Sequence, residues 1–81
     1  MNWDLEIDAL GLLCPLPVLR LRKRLKNLKS GMVIKILADD PAATIDIPHF
    51  CAQNGHKFLH SNQIESNSPS INMRAYFIRK S

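Results

Sequence analysis

Two cysteines in 81 residues, no Cys-x-x-Cys pair and no apolar run near membrane-spanning length set the first limits on this chain. Cys14 and Cys51 are too few for a disulfide framework, and the missing Cys-x-x-Cys argues against a disulfide oxidoreductase. His49, His56 and His60 share no zinc spacing with either thiol, so no metal is expected. Aromatic residues make up 6% of the chain. Trp3, Tyr76 and the three phenylalanines are scattered along it, which argues against a stacking platform for direct nucleic-acid binding. Asp4, Glu6 and Asp8 interrupt the N-terminal apolar residues, so no signal peptide is expected. No internal repeat or linker breaks the chain. These absences point to a reduced, cytoplasmic protein that does not enter a membrane.

Apolar residues make up 46% of the chain and charged residues 22%, the balance of a globular protein. Residues 1–81 read as one domain, which buries roughly 60–65% of its unfolded surface. That supports one modest core and no large internal cofactor pocket, so no cofactor is expected and chemistry belongs at the surface. The net charge is +4. Its distribution says more: Arg20, Arg22, Lys23, Arg24, Lys26 and Lys29 follow one another with no acid between them. Such a basic surface suits an acidic protein partner, nucleic acid or anionic lipid.

Trp3, Leu5 and Ile7 alternate with Asp4, Glu6 and Asp8, the pattern of a strand with one buried face. Ala9 to Leu13, with Gly11, forms a turn. Val18, Leu21, Leu25 and Leu28 recur at helical spacing, and Ser30-Gly31 is the expected stop. Met32 to Ala38 is nearly all apolar, as a central strand is. Asp39-Asp40-Pro41 turns the chain, with Asp40 or Thr44 as a candidate cap. A second helix is expected to run to Asn54, with Gly55 as its stop and Pro48 kinking or restarting it. Lys57 to Gln63 and Ile71 to Arg79 read as strands, with a polar loop from Glu65 to Ser70 between them. The order is βαβαββ. It predicts an α+β two-layer sandwich, a four-stranded mixed sheet with two helices on one face.

Cys14-Pro15-Leu16-Pro17 opens the first helix. With Cys14 as its N-cap and Pro15 as its first residue, the helix dipole and free first-turn amides favour an ionised sulfur. Cys14 is therefore the candidate nucleophile. Asp8, Gly11, Pro15 and Pro17 shape the loop that presents it. For Asp8, local backbone hydrogen bonds are favoured over proton transfer, because a negative charge near Cys14 raises its pKa. At about 100° per residue, Leu16 and Leu19 project away from the apolar stripe. They form a docking patch beside the thiol or are covered by a neighbouring loop. Arg22, Lys23 and Lys26 are candidate docking residues, a solvated face being the alternative. Cys51 follows Ile47 and Phe50 on a core pattern and reads as a buried structural cysteine.

The stretch from Asp8 to Pro17, with Arg22-Lys23, Ala38 to Ala42, Asp46-Ile47-Pro48, Phe50-Cys51 and Ile78-Arg79-Lys80, resembles the TusA/SirA family of small sulfur-carrier proteins. The resemblance spans about Leu5 to Lys80. It implies a two-layer sandwich and a carrier cysteine, here Cys14, that takes a sulfane sulfur as a persulfide. A cysteine desulfurase or other persulfide donor would load it. A downstream acceptor protein would receive the sulfur, in relays serving tRNA 2-thiouridine, molybdenum-cofactor enzymes or sulfur oxidation. TusA members typically carry an acid between the two prolines, where this chain has Leu16, so its partners do not follow from the motif. A carrier must show its thiol to successive partners, so a monomer is expected.

Two other classes compete. One is an RNA- or protein-binding regulatory module using the basic first helix. The other is an adaptor that signals through oxidation of Cys14.

Overall fold

The computed structural model describes residues 2–64 and 73–81. The elements are β1 (Leu5–Asp8), α1 (Leu16–Leu25), β2 (Val33–Ala38), α2 (Ala43–Asn54), β3 (Lys57–Gln63) and β4 (Arg74–Arg79). They form a four-stranded sheet in the order β1-β2-β4-β3. β1 and β2 run parallel, with Leu5 opposite Ile34 and Asp8 opposite Leu37. β4 is antiparallel to both β2 and β3. The mixed sheet and the βαβαββ order are those the sequence predicts. The polar loop and the start at Ile71 lie outside the described residues.

Alternation along the strands divides the sheet into two faces. Ile34, Ile36 and Ala38 of β2 join Ile7 of β1 and Tyr76 and Ile78 of β4 in one buried cluster with Leu21 and Leu25 of α1 and Ala43, Ile47, Phe50 and Cys51 of α2. Val18 and Leu28, the ends of the α1 stripe, pack at the margin of this cluster. Lys35 and Phe77, paired in register, face the other way. There Trp3 and His60 flank Phe77, with ring centroids 5.7 and 4.5 Å away, and the Lys35 ammonium sits 4.2 Å from the Trp3 ring centroid. The aromatics are therefore not scattered in space. The sheet gathers three rings on its second face, and Phe77 is buried beneath its neighbours.

Three local expectations need correction. Helix α1 begins at Leu16, with Pro15 in the cap position and Pro17 inside the first turn, so Cys14 stands one residue outside the cap. The same helix ends at Leu25 rather than at Ser30-Gly31. The Lys80 ammonium donates to the Leu25 carbonyl, and Asn27 and Leu28 continue only as turns onto Arg24 and Leu25. Gly31, at φ 89°, instead serves the turn into β2, where its amide donates to the Lys80 carbonyl. Of the two readings for Pro48, the restart is excluded, since α2 runs through it to a left-handed Gly55. Pro48 removes one amide that would have met the Thr44 carbonyl, and the remaining turns and the buried face carry the helix.

Candidate functional site at the thiol loop

Parallel pairing of β1 and β2 sets the site. Both strands release the chain at the same end of the sheet, so the β1–α1 loop and the β2–α2 turn lie side by side. The acids of one turn hold the amides of the other. Asp39 accepts from the Gly11 amide at 3.0 Å. Asp40 accepts from the Cys14 amide at 2.6 Å through one oxygen and from the Ala42 amide at 3.1 Å through the other. Asp8 accepts from the Leu10 amide at 3.0 Å, the local anchoring role expected of it. Gly11 takes a positive φ of 79°, which a side chain would strain. Asp40 therefore does more than shape its own turn. Thr44 does not cap α2, since its hydroxyl donates to the Pro41 carbonyl at 2.7 Å.

Cys14 is exposed, and its peptide bond to Pro15 is cis. The Leu16 amide, a first-turn amide near the sulfur, donates to the Leu13 carbonyl at 2.8 Å. The sulfur has a different partner: the thiol donates to Asp46 Oδ2 of α2 at 2.8 Å. That hydrogen bond pushes the thiol's pKa up, with smaller contributions from desolvation and from the negative charges of Asp46 and Asp40. The arrangement differs from the expected thiolate at a helix N-terminus: Cys14 lies outside the cap, the Leu16 amide is bonded elsewhere, and the sulfur donates to a carboxylate.

Cys14 lines a groove of about 290 Å³ between α1 and α2, with Val18, Leu19, Arg22, Asp46, His49 and Phe50 among others. Arg22 thus shares a surface with the thiol. Lys26 lies further along, with Arg22, Phe50 and Lys80 around a second recess. Lys23 is on the other flank, with Leu12, Leu16, Leu19 and Arg20. Arg20 donates to the Asp8 carbonyl at 2.9 Å and ties α1 to the end of β1. Leu16 and Leu19 are each 48% exposed and Leu13 is 71% exposed, so no described segment covers them. Pro17 is buried, and Pro15 lines the groove beside the thiol.

Cys51 is buried, and desolvation pushes its pKa up to about 11. Among the described residues, no cluster of histidine, cysteine and acids could hold a metal ion, and no helix is long and apolar enough to cross a membrane.

Asp46 is the functional candidate that residue spacing did not single out. It lies in the first turns of a helix that follows a strand parallel to β1, a placement the structure shows and residue spacing does not.

A solved structure of similar shape is a SirA-like protein from Desulfitobacterium hafniense. It has 27% sequence identity and a TM-score of 0.72, with 94% of this chain and 96% of that one covered. The family model described as sulfurtransferase TusA matches residues 5–74, which contain the thiol loop, the acids that hold it and both helices. By that match, the chain belongs to the TusA family of sulfurtransferases.

Proposed function

We propose that this protein is a sulfur carrier in which Cys14 accepts a sulfane sulfur as a persulfide from a cysteine desulfurase or rhodanese-type donor. It passes the sulfur to an acceptor protein, as in relays that end in tRNA 2-thiouridine. One contrast supports this reading most directly. Cys14 is exposed on a loop braced by two acids of the neighbouring β2–α2 turn, while Cys51 is buried on the inner face of α2. A carrier needs one accessible thiol and no second thiol within reach, since a neighbouring thiol would attack the persulfide and release sulfide.

The transfer balances without an oxidant. The Cys14 sulfur attacks the outer sulfur of the donor persulfide, and a new S–S bond forms as the donor's S–S bond breaks. The bonding pair leaves on the donor sulfur, which takes up the proton that Cys14 gives away. The reverse exchange with an acceptor thiol unloads the carrier. Leu13, Leu16 and Leu19 around the thiol and Arg22, Lys23 and Lys26 along α1 form the docking surface, suited to a partner with an apolar centre and an acidic flank.

Intact-protein mass spectrometry tests the reading. Wild type, Cys14→Ser and Cys51→Ser are incubated with a cysteine desulfurase and cysteine, or with a rhodanese and thiosulfate, without reductant. One reductant-labile sulfur is expected on wild type and Cys51→Ser and none on Cys14→Ser. No gain on wild type with either donor overturns the carrier reading.

A further inference from the structure

Among the described residues, the one polar contact of the Cys14 sulfur comes from a helix 32 residues away in sequence: Asp46 Oδ2, 2.8 Å from Sγ, in a position to accept its hydrogen. A carboxylate that was structural bracing would bind backbone amides, as Asp8, Asp39 and Asp40 do. Among the described residues, Asp46 makes no ion pair. The residue is half-buried and lines the groove beside the thiol.

The geometry points to Asp46 as the residue that sets the protonation state of Cys14, holding the sulfur as a neutral, weakly reactive thiol in the free protein and keeping its proton until a sulfur donor arrives. The claim rests on reading Cys14 as the sulfur acceptor. Its physical content is a like-charge argument. Ionising Sγ replaces a hydrogen bond by two anions in contact, which costs more than ionising a free cysteine. The consequence is selectivity: small electrophiles and oxidants that act on thiolates meet a thiol. Sulfur transfer then depends on a partner that changes the surroundings of the pair. In the uptake step, the proton between Sγ and Asp46 is the one that ends on the departing donor sulfur.

Other groups face the pair. Asp40, in the turn before α2, adds negative charge close to the sulfur. Arg22 of α1 and His49 of α2 line the same groove. All three remain in an Asp46 variant, so the comparison isolates the carboxylate.

The test is the rate of iodoacetamide labelling against pH, followed by intact mass. It needs no sulfur donor, so it can fail while persulfide loading succeeds, or the reverse. Wild-type Cys14 is expected to titrate above the roughly 8.5 of a free cysteine. In Asp46→Asn the midpoint should fall. Thiolate at pH 7.5 then rises by more than its nucleophilicity drops with the pKa, so labelling should be faster than in wild type. Asp46→Glu should restore the raised midpoint. Cys51 reports folding in the same spectra, since a second label marks an opened protein. A wild-type midpoint at or below 8.5, or an Asp46→Asn midpoint that does not fall while Cys51 stays unlabelled, overturns the proposal. The wild-type profile decides even if the variant does not fold.

Discussion

Asp40 holds Cys14 by its amide. The Cys14 nitrogen lies 2.6 Å from Asp40 Oδ2, while Oδ1 of the same carboxylate accepts from Ala42 at 3.1 Å. One side chain thus joins the loop that carries the thiol to the start of α2. Asp40→Ala frees two amides at once. A hydrogen bond to a charged group contributes roughly 1.5–3 kcal/mol when well buried, and these are partly open to water, so a loss of about 1–2 kcal/mol is expected. Urea unfolding measures it. Asp40→Asn keeps an acceptor for one amide and should fall between the two. If Asp40→Ala unfolds at the wild-type urea concentration, the clasp contributes nothing to stability.

That clasp marks where the sequence stops being legible. Strand and helix order follow from periodicity, because alternation and the Val18-Leu21-Leu25-Leu28 stripe report burial within one segment. β3 spans the residues expected of it, Lys57–Gln63. Contacts across 26 or 32 residues carry no periodic signal. Asp46 looks like any polar residue on a helix until the parallel β1–β2 pair brings α2 beside the thiol loop. The end of α1 carries a contact of the same kind, since Lys80, 55 residues on, donates to the Leu25 carbonyl. The exposure of Leu16 and Leu19 was readable from the helical wheel, whereas the uncovered state of the patch required the structure.

The apolar patch should act in docking and not in folding. Leu16→Glu and Leu19→Glu replace side chains that are each about half exposed, and each is expected to change unfolding free energy by no more than about 0.5 kcal/mol. Sulfur uptake from a protein donor, measured at subsaturating donor, should fall about five- to tenfold, the effect of removing one modest apolar anchor from an interface. The iodoacetamide rate at Cys14 should stay unchanged, separating docking from thiol chemistry. Uptake at the wild-type rate in both variants would remove these leucines from the interface.

On the far side of the sheet, Trp3 lies tilted against Phe77 with Lys35 over its ring. An aromatic pair adds roughly 0.5–1.5 kcal/mol and an exposed cation–π contact about 0.5–1 kcal/mol. Trp3→Ala is therefore expected to destabilise by about 1–2 kcal/mol in thermal or urea unfolding. Sulfur uptake at Cys14 should not change, because the ring sits on the face opposite the helices. A fall in uptake at constant stability would show that the second face also meets a partner.

Cys51 makes stability depend on alkaline pH. In the unfolded chain its thiol ionises near 8.5, while burial in the folded protein pushes the pKa up to about 11. Between those values the unfolded state has released a proton that the folded state still holds, so stability falls as pH rises. Below pH 8 the contribution is fully present, and above about 11 it is lost. The upper limit of the effect is about 3–4 kcal/mol, at 1.36 kcal/mol per pH unit. Tyr76, also pushed up by burial, adds a slope of the same sign at higher pH, so the wild-type curve alone does not isolate the thiol. Cys51→Ala does. It lowers stability at pH 7 by removing buried volume, yet its urea midpoint should decline less steeply from pH 8 to 10.5 than that of wild type. Parallel curves would mean that the thiol ionises equally well in both states, and that the interior around Ile47, Phe50 and Cys51 is open to water.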